Sequence, residues 1–253
     1  MKKEEKILIT EIFGSIGFFI WMVSILILGL LFHARKALWE APVPQKFISY
    51  EHMDWKSGDL LLCSGSGAHG KIGEIVTKVT SGSQWTHVGL VFVHPVTKHI
   101  YLWDIDNTAA RLIPLFAFLK RYKGKVAVRR LVKSSFTDMV VINDEKYMEF
   151  IQSHWNVPYT HDFWIHGYNR KFPILAVPFS SNLTEEKKHF CCTLTAKTLV
   201  FLGVIKEIPH MHVLGMKDFE YDHDKNNPFF IMKNGWRFEP EILVKKDESR
   251  SVF

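Results

Sequence analysis

The sequence predicts a mixed α+β domain that follows one membrane-spanning helix, and three observations lead to this prediction. The chain has 253 residues, a length that suits one large domain or two small ones. An uncharged apolar stretch, residues 12–32, lies near its start. The remaining sequence mixes short apolar runs typical of strands with segments of helical apolar spacing. Hydrophobic residues make up 47%, an ordinary globular share that excludes a disordered chain and a multi-span membrane protein.

The apolar stretch at residues 12–32 predicts an anchor. It contains 21 residues and no charged side chain, and a helix of about 20 apolar residues crosses a hydrocarbon core of about 30 Å. A secretory signal has an apolar core of only about 7 to 15 residues and a small-residue cleavage site. Here the basic segment 33–36 follows instead. We therefore expect a tail over residues 1–11, a single-pass transmembrane helix over residues 12–32, and a lipid bilayer as a partner.

Basic residues leave the orientation of this anchor open, because equal numbers lie on its two sides. They are Lys2, Lys3 and Lys6 before it and Arg35, Lys36 and Lys46 after it.

The cysteines, Cys63, Cys191 and Cys192, are too few for a disulfide framework or a zinc site built from thiolates. Thiols that stay reduced favour the cytosolic side for the domain. The oligomeric state is left open by the sequence.

Charge and histidine content bear on further partners. The formal net charge is +6, which suits an anionic membrane surface, and no stripe of Arg and Lys interleaved with aromatic residues indicates a nucleic acid. Four histidines in the second half lack the helical ligand spacing of a metal site with a carboxylate between them. They are His161, His166, His210 and His212. We expect neither a metal nor another cofactor.

Turn residues and apolar periodicity predict the elements of the body. Residues 33–54 form a linker stiffened by Pro42 and Pro44, and one domain spans residues 55–253. Strands are predicted over 58–63, 86–93, 100–105, 125–132 and 229–232, and helices over 71–79, 115–122, 143–155 and 191–203. The strands 86–93 and 100–105 are so close in sequence that they predict an antiparallel hairpin.

A histidine lies inside the first strand of this hairpin. Both faces of residues 86–93 are apolar, so this is a central strand, and the ring of His87 needs a polar partner there. On the next strand, Asp104 shares a face with Leu102 and lies where its carboxylate can orient an imidazole. Asp106 lies on the same face. A core histidine with any satisfied polar contact produces the same pattern.

Two adjacent cysteines, Cys191 and Cys192, lie where the last strong helix is predicted to begin. Unpaired N–H groups and the helix dipole at such a start favour an anion and lower a thiol pKa. The same N–H groups can stabilise an oxyanion. With His87 and Asp104, these residues supply a Cys-His-Asp catalytic set. Two small core cysteines packed with Leu194 are the alternative interpretation.

Five motifs follow one another in a recognisable order. They are Gly58-Asp59-Leu60-Leu61, Thr86-His87-Val88-Gly89-Leu90-Val91, Tyr101-Leu102-Trp103-Asp104, Val157-Pro158-Tyr159 and Phe190-Cys191. This order resembles the circularly permuted branch of the NlpC-type, papain-like cysteine hydrolases. That branch includes bacterial permuted amidases and is related to the lecithin retinol acyltransferase group. The resemblance covers about residues 55–205 and implies an α+β, permuted papain-like fold, in which helices pack on an antiparallel sheet.

The resemblance implies catalytic roles for Cys191, His87 and Asp104, and a place at the substrate for Tyr159 of the Pro-Tyr motif. Cys191 is preferred over Cys192 as the nucleophile because only that register aligns the family's later Leu, Ala, Leu and Gly. Those positions are Leu194, Ala196, Leu199 and Gly203. The chain departs from the family where Cys192-Thr193 replaces Ser-Glu and where Asp104 replaces a glutamate. Asp106 therefore remains an alternative partner for the histidine.

We therefore expect a membrane-anchored thiol hydrolase or acyltransferase that cleaves an amide or ester, in a peptide or a lipid acyl group, through an acyl-enzyme. The nearby bilayer favours lipid or lipid-linked acyl groups. A hypothesis of another class is an inactive membrane-bound binding or structural module that keeps the fold, which the altered motif at residues 191–195 permits. The joint presence of His87 and Cys191 argues for the enzyme.

Overall fold

The protein has a mixed α+β fold dominated by a β-sheet, as the sequence predicts at this coarse level. The computed structural model describes residues 46–65, 74–75, 77–78, 81–106, 108–133, 142–159, 189–207, 214–221 and 231–245. Its strands are β1 (Phe47–Ser49), β2 (Leu60–Ser64), β3 (His87–Val93), β4 (Ile100–Ile105), β5 (Ala110–Pro114), β6 (Lys125–Arg129), β7 (Leu131–Lys133), β8 (Trp236–Phe238) and β9 (Ile242–Lys245). Its helices are α1 (Leu115–Arg121), α2 (Asp144–Ser153) and α3 (Cys191–Phe201), with short 3-10 turns at Tyr50–His52 and Met216–Phe219.

The predicted tail and anchor, residues 1–32, lie outside the described residues. Across the part of the chain that the structure describes, none of the helices combines the length and the apolar character that crossing a membrane requires.

The hairpin at the centre of the sheet confirms the sequence prediction. Among the described residues, one sheet has seven strands in the order β1-β9-β6-β2-β3-β4-β5. β3 therefore lies between β2 and β4, antiparallel to both. Its interior residues are buried on both faces, because one side packs against α2 and α3 and the other packs against α1. The run of apolar side chains on both faces is the signature of such a central strand.

Helices α1, α2 and α3 begin where the sequence predicts. The side chain of Asn143 accepts a hydrogen bond from the Lys146 N–H at 2.9 Å, which caps α2. After α3, Gly203 adopts a φ of 74°, the left-handed conformation that ends a helix and that glycine adopts without strain. The indole N–H of Trp103 on β4 donates to the Thr198 hydroxyl on α3 at 3.2 Å, and this contact holds the helix against the sheet.

Two predicted boundaries differ from the structure. The single strand expected over residues 125–132 is divided into β6 and β7, which belong to different sheets. The chain turns there because the buried carboxylate of Asp59 accepts hydrogen bonds from the Leu131 N–H at 3.1 Å and from Arg130 at 2.8 Å. In addition, β1 lies within the predicted linker 33–54 and pairs in parallel with β9, so the folded body includes residues that precede position 55.

Two further elements are described only in part. Glu74, Ile75, Thr77 and Lys78 are helical, and the rest of the helix predicted over residues 71–79 lies outside the described residues. Of the strand predicted over 229–232, Met232 forms an isolated bridge with Ile205, while residues 229 and 230 also lie outside the described part.

Candidate active site

The start of α3 places two thiols at a helix N-terminus. Phe190, just before the helix, is extended, with φ −119° and ψ 171°, and Cys191 is the first helical residue. The first hydrogen bond of the helix runs from the Leu194 N–H to the Phe190 carbonyl at 3.0 Å. Backbone N–H groups in the first turn of a helix have no intrahelical acceptor, and the dipole there favours negative charge. Cys191 is 9% exposed and Cys192 only 2%, so Cys191 is the more accessible thiol.

His87 and Asp104 lie just beyond the paired part of the central hairpin. The β3–β4 register runs from Val93↔Ile100 to Leu90↔Trp103. The Nε2 atom of His87 is 2.7 Å from Oδ1 of Asp104. That oxygen also accepts the N–H of Ile105 at 2.8 Å, and Asp104 is only 3% exposed. The carboxylate is therefore fixed by its own strand and fixes the imidazole in turn.

Cys191 completes a continuous chain of polar contacts with these two residues. The ring of His87 and the backbone N–H of Val88 lie close enough to its sulfur to lower the pKa of the Cys191 thiol. Because Nε2 of His87 faces Asp104, Nδ1 is the ring nitrogen left for the sulfur. The structure thus brings together Cys191, His87 and Asp104, the three residues that the sequence selects as a catalytic set.

The electrostatics of this chain favour an ion pair between thiolate and imidazolium. The pKa of Cys191 is held well below its usual range, first by a hydrogen bond from Cys192 and then by the charge and hydrogen bond of His87, against the opposing effect of burial. Burial lowers the pKa of His87, but the negative charges of Asp104 and Cys191 outweigh it, and the pKa is held well above its usual range. Each partner therefore stabilises the charged form of the other.

Cys192 has the opposite character from its neighbour. Its sulfur is 4.0 Å from that of Cys191 and 3.5 Å from the Met216 sulfur. Burial, followed by the hydrogen bond to Cys191, holds the pKa of Cys192 well above its usual range, so it stays a protonated thiol. The single S–H of Cys192 can be donated to the Met216 sulfur or to the Cys191 sulfur, and the negative charge of a Cys191 thiolate favours the second acceptor. Cys192 is thus placed as a donor to the Cys191 sulfur rather than as a second nucleophile.

Tyr159 lies beside the two cysteines. Its backbone bridges to His189, two residues before α3, and the neighbouring Pro158 bridges to Ala109. Burial raises the pKa of the Tyr159 phenol, and the charges of Cys191, Cys192 and Asp104 raise it further. The phenol therefore stays protonated close to the site, where it can contact a substrate.

The alternative carboxylate, Asp106, has a different place. It accepts the N–H groups of Thr108 at 2.9 Å and Ala109 at 3.3 Å, and it forms an ion pair with Arg111. These contacts build the turn between β4 and β5. The structure thus places Asp104, and not Asp106, against the ring of His87.

Two contributors to the site have no signal in the sequence. The Val88 N–H is available to the sulfur because the β3–β4 pairing ends before it, and the partner of Cys192, Met216, lies on a distant 3-10 turn. Among the described residues, no group of three or more His, Cys, Asp or Glu side chains is arranged to hold a metal ion. His161, His166, His210 and His212 lie outside the described residues.

Comparisons with known proteins add little to this geometry. No family model matches the chain, and no curated protein matches it. Among solved structures, the chain is similar to the metalloprotein YiiX from Escherichia coli O157:H7, with 14% sequence identity over 75% of this chain and 98% of that one. The TM-score is 0.43, which is too low to define a shared fold.

Proposed function

We propose that the protein is a cysteine-dependent hydrolase or acyltransferase with a permuted papain-like fold. The observation that carries this proposal is the placement of the Cys191 sulfur, at the start of a helix, beside the ring of His87, whose Nε2 is hydrogen-bonded to the Asp104 carboxylate. A thiol, a base and a group that orients the base are the three parts of an activated nucleophile.

The proposed reaction begins with attack of the Cys191 thiolate on an amide or ester carbonyl. The oxygen that gains negative charge lies near the N–H groups of the first turn of α3, which stabilise it. His87, as imidazolium, then gives its proton to the leaving amine or alcohol, and a thioester remains on Cys191. Water or another acceptor loses a proton to His87 and attacks the thioester, which releases the acyl group and the thiolate.

Asp104 acts through His87 in this scheme. Its carboxylate accepts a hydrogen bond from the Nε2–H of His87, keeps Nδ1 directed at the sulfur and stabilises the positive ring that accompanies the thiolate. Tyr159 supplies a protonated phenol beside the sulfur for substrate contact.

The fold assignment within this proposal is supported by the order of the parts. The histidine lies on a central antiparallel strand, the carboxylate on the next strand, and the thiol follows later at a helix start. This is the order expected from the resemblance to the permuted NlpC-type hydrolases.

For the substrate, we propose an acyl group in amide or ester linkage, in a peptide or a lipid. The apolar stretch at residues 12–32 supports a single-pass anchor, and an anchored site meets lipid or lipid-linked acyl groups at high local concentration.

Intact mass of the full chain after incubation with separate peptide-amide and phospholipid panels tests the proposal. An added acyl mass on the native chain, and none on Cys191→Ala, would support an acyl-enzyme, and the panel that produces it would identify the substrate class. If neither panel adds mass and Cys191 reacts with electrophiles no faster than an ordinary thiol, the site is not a catalytic one, and the inactive binding module becomes the better hypothesis.

A further inference from the structure

A basic and aromatic surface extends along α1 and the segment that follows it. We call it the α1 surface, and it consists of Tyr50, Phe116, Lys120, Arg121, Lys123 and Lys125. It belongs to an unusual stretch of sequence, because residues 107–137 contain eight Lys and Arg and no Asp or Glu. The overall excess of positive charge in the protein is therefore concentrated in one segment.

The aromatic part of this surface is open to solvent. Phe116 is 44% exposed, although most phenylalanines of the described residues are buried or partly buried. Its ring contacts Tyr50, with 5.7 Å between the centroids. Lys120 follows Phe116 by four residues on α1, so the two side chains are neighbours on the same helical face. An aromatic ring beside a lysine stem is the arrangement that suits a boundary between water and hydrocarbon.

The basic part of the surface is not neutralised within the described residues. Lys120, Arg121, Lys123 and Lys125 are all exposed, and no ion pair joins them to an acidic side chain of the described part. Other lysines of the protein do have acidic partners, namely Lys56, Lys78 and Lys217. Of the acidic side chains nearby, Glu51 lies 3.4 Å from the Tyr50 hydroxyl, and Glu74, which is paired with Lys78, is close enough to Tyr122 to raise the pKa of its phenol. The surface is therefore predominantly positive, with these carboxylates at its rim.

We infer that the α1 surface docks on the anionic headgroups of a phospholipid bilayer. The charge matches such a surface, and the exposed Phe116 supplies a side chain that can enter the interface. Each basic residue close to an anionic leaflet strengthens binding about fivefold. Four such residues on one side of a domain therefore suffice to orient it when the domain is already held near the membrane.

Sequence position supports the bilayer as the occupant. The apolar stretch ends at residue 32, and thirteen residues, 33–45, separate it from the first described residue, Lys46. Thirteen residues span at most about 45 Å. Tyr50 follows four residues later and contacts Phe116, so the α1 surface lies next to the place where the chain enters the folded body.

Docking of the α1 surface would orient the candidate active site relative to the bilayer. Lys125 pairs with Ser64 at the end of β2, and the adjacent Cys63 pairs with His87. The α1 surface thus reaches the same end of the sheet as the site, and a bilayer against it would lie near the thiol. The docking itself does not depend on the proposed catalysis.

Photo-crosslinking of the full chain in lipid vesicles tests the inference. p-Benzoylphenylalanine is placed either at Phe116 or, as a control, at Val96, which is 82% exposed in the turn between β3 and β4. Vesicles contain phosphatidylcholine alone or with phosphatidylserine. We expect lipid adducts at position 116 that exceed those at position 96 severalfold and that increase with phosphatidylserine. Lys120→Glu should reduce them at least about fivefold, and the matched exposed control Lys206→Glu should not.

Three results would overturn the inference. They are equal lipid adducts at positions 116 and 96, adducts at 116 that do not depend on phosphatidylserine, and a crosslink at 116 to a second copy of the chain in place of lipid. None of them bears on the acyl-enzyme experiment, so failure of the docking surface and failure of the proposed reaction are distinguishable.

Discussion

A histidine lies at each end of the central strand β3: His87 is its first residue, and His94 directly follows its last. The two side chains have different partners. At the turn end, Nδ1 of His94 accepts the N–H groups of Val96 and Thr97, both at 3.2 Å. At the other end, His87 lies between a carboxylate and a thiol. His94 stabilises the turn that directly follows the regular pairing of β3 with β4. His87 lies where that pairing has stopped.

The candidate site lies where the pairing of β3 with β4 ends, and this position is what allows three elements to meet there. Where β3 and β4 remain paired, their backbone groups bond to each other. Where the pairing ends, the Val88 N–H and the two side chains are available to a third element, the start of α3. The same residue type is therefore structural at one end and available for chemistry at the other.

The largest effect is expected from removing the thiol beside His87. Cys191→Ala should abolish labelling by an electrophilic thiol probe and any acyl adduct, because it deletes the sulfur whose charge the site stabilises. Intact mass after brief labelling measures this. Cys192→Ala, labelled in alkaline buffer, is the control and should keep most of the labelling. If the label instead stays on Cys191→Ala and is lost from Cys192→Ala, the register of the nucleophile is wrong.

Exchanging each histidine compares the two ends directly. His87→Ala should slow turnover at least about a hundredfold, since general-base catalysis contributes about that much or more. It should also move the pH profile of Cys191 alkylation upward, because the imidazolium that lowers the thiol pKa is gone. His94→Ala loses only contacts in an exposed turn and should leave both rates within about twofold. Equal effects of the two variants would mean that His87 has no special role.

A smaller effect is expected from removing the negative charge of Asp104, which is hydrogen-bonded to His87. In Asp104→Asn the imidazolium loses the carboxylate whose negative charge raises its pKa, so the pKa of His87 should fall. The alkaline limb of the pH–rate profile should therefore move to lower pH, since the charged pair persists only up to the pKa of His87. Asp106→Asn, which alters the turn after β4, should leave this limb in place. If the pH–rate profile of Asp104→Asn is unchanged, the Asp104 carboxylate has no role in the reaction.

The smallest expected effect concerns the donor beside the nucleophile. Cys192→Ala removes a hydrogen bond to the Cys191 thiolate, so the pKa of Cys191 should rise and its alkylation should slow severalfold in mildly acidic buffer but little in alkaline buffer. Cys192→Ser keeps an O–H donor and should restore part of the rate. Rates measured across pH distinguish this from a loss of packing, which would lower them equally at every pH.

Local patterns predicted much of the fold. The hairpin of β3 and β4, helix α1, the Asn143 cap of α2 and the start of α3 all depend on periodicity or on neighbouring residues. The division of the strand at Arg130 was not predictable, because it depends on Asp59, 71 residues earlier in the chain. The parallel pairing of β1 with β9 joins three-residue and four-residue strands from opposite ends of the described chain, and such short segments carry no periodic signal.

For the candidate site, the alternation of side chains along the strands was sufficient to predict that His87 and Asp104 contact each other. The predicted helix start was sufficient to locate Cys191. The sequence did not predict what surrounds the sulfur. The donor from Cys192 and its contact with Met216 arise only when α3 and the 3-10 turn pack together. The function proposed for these residues stays a prediction until the chemistry is measured.

The separation of the site residues along the chain has a consequence for biosynthesis. His87 and Asp104 belong to one local hairpin, whereas Cys191 follows 87 residues after Asp104. At about 5 to 20 residues per second, a ribosome delivers that thiol several seconds after the hairpin. Until α3 docks, Cys191 lacks the imidazolium and the donors that stabilise its anion, and it has the pKa of an ordinary thiol, about 8.5. The Cys191 thiol of a nascent chain therefore has ordinary reactivity, and under the proposed mechanism it becomes a nucleophile only after α3 has packed against the sheet.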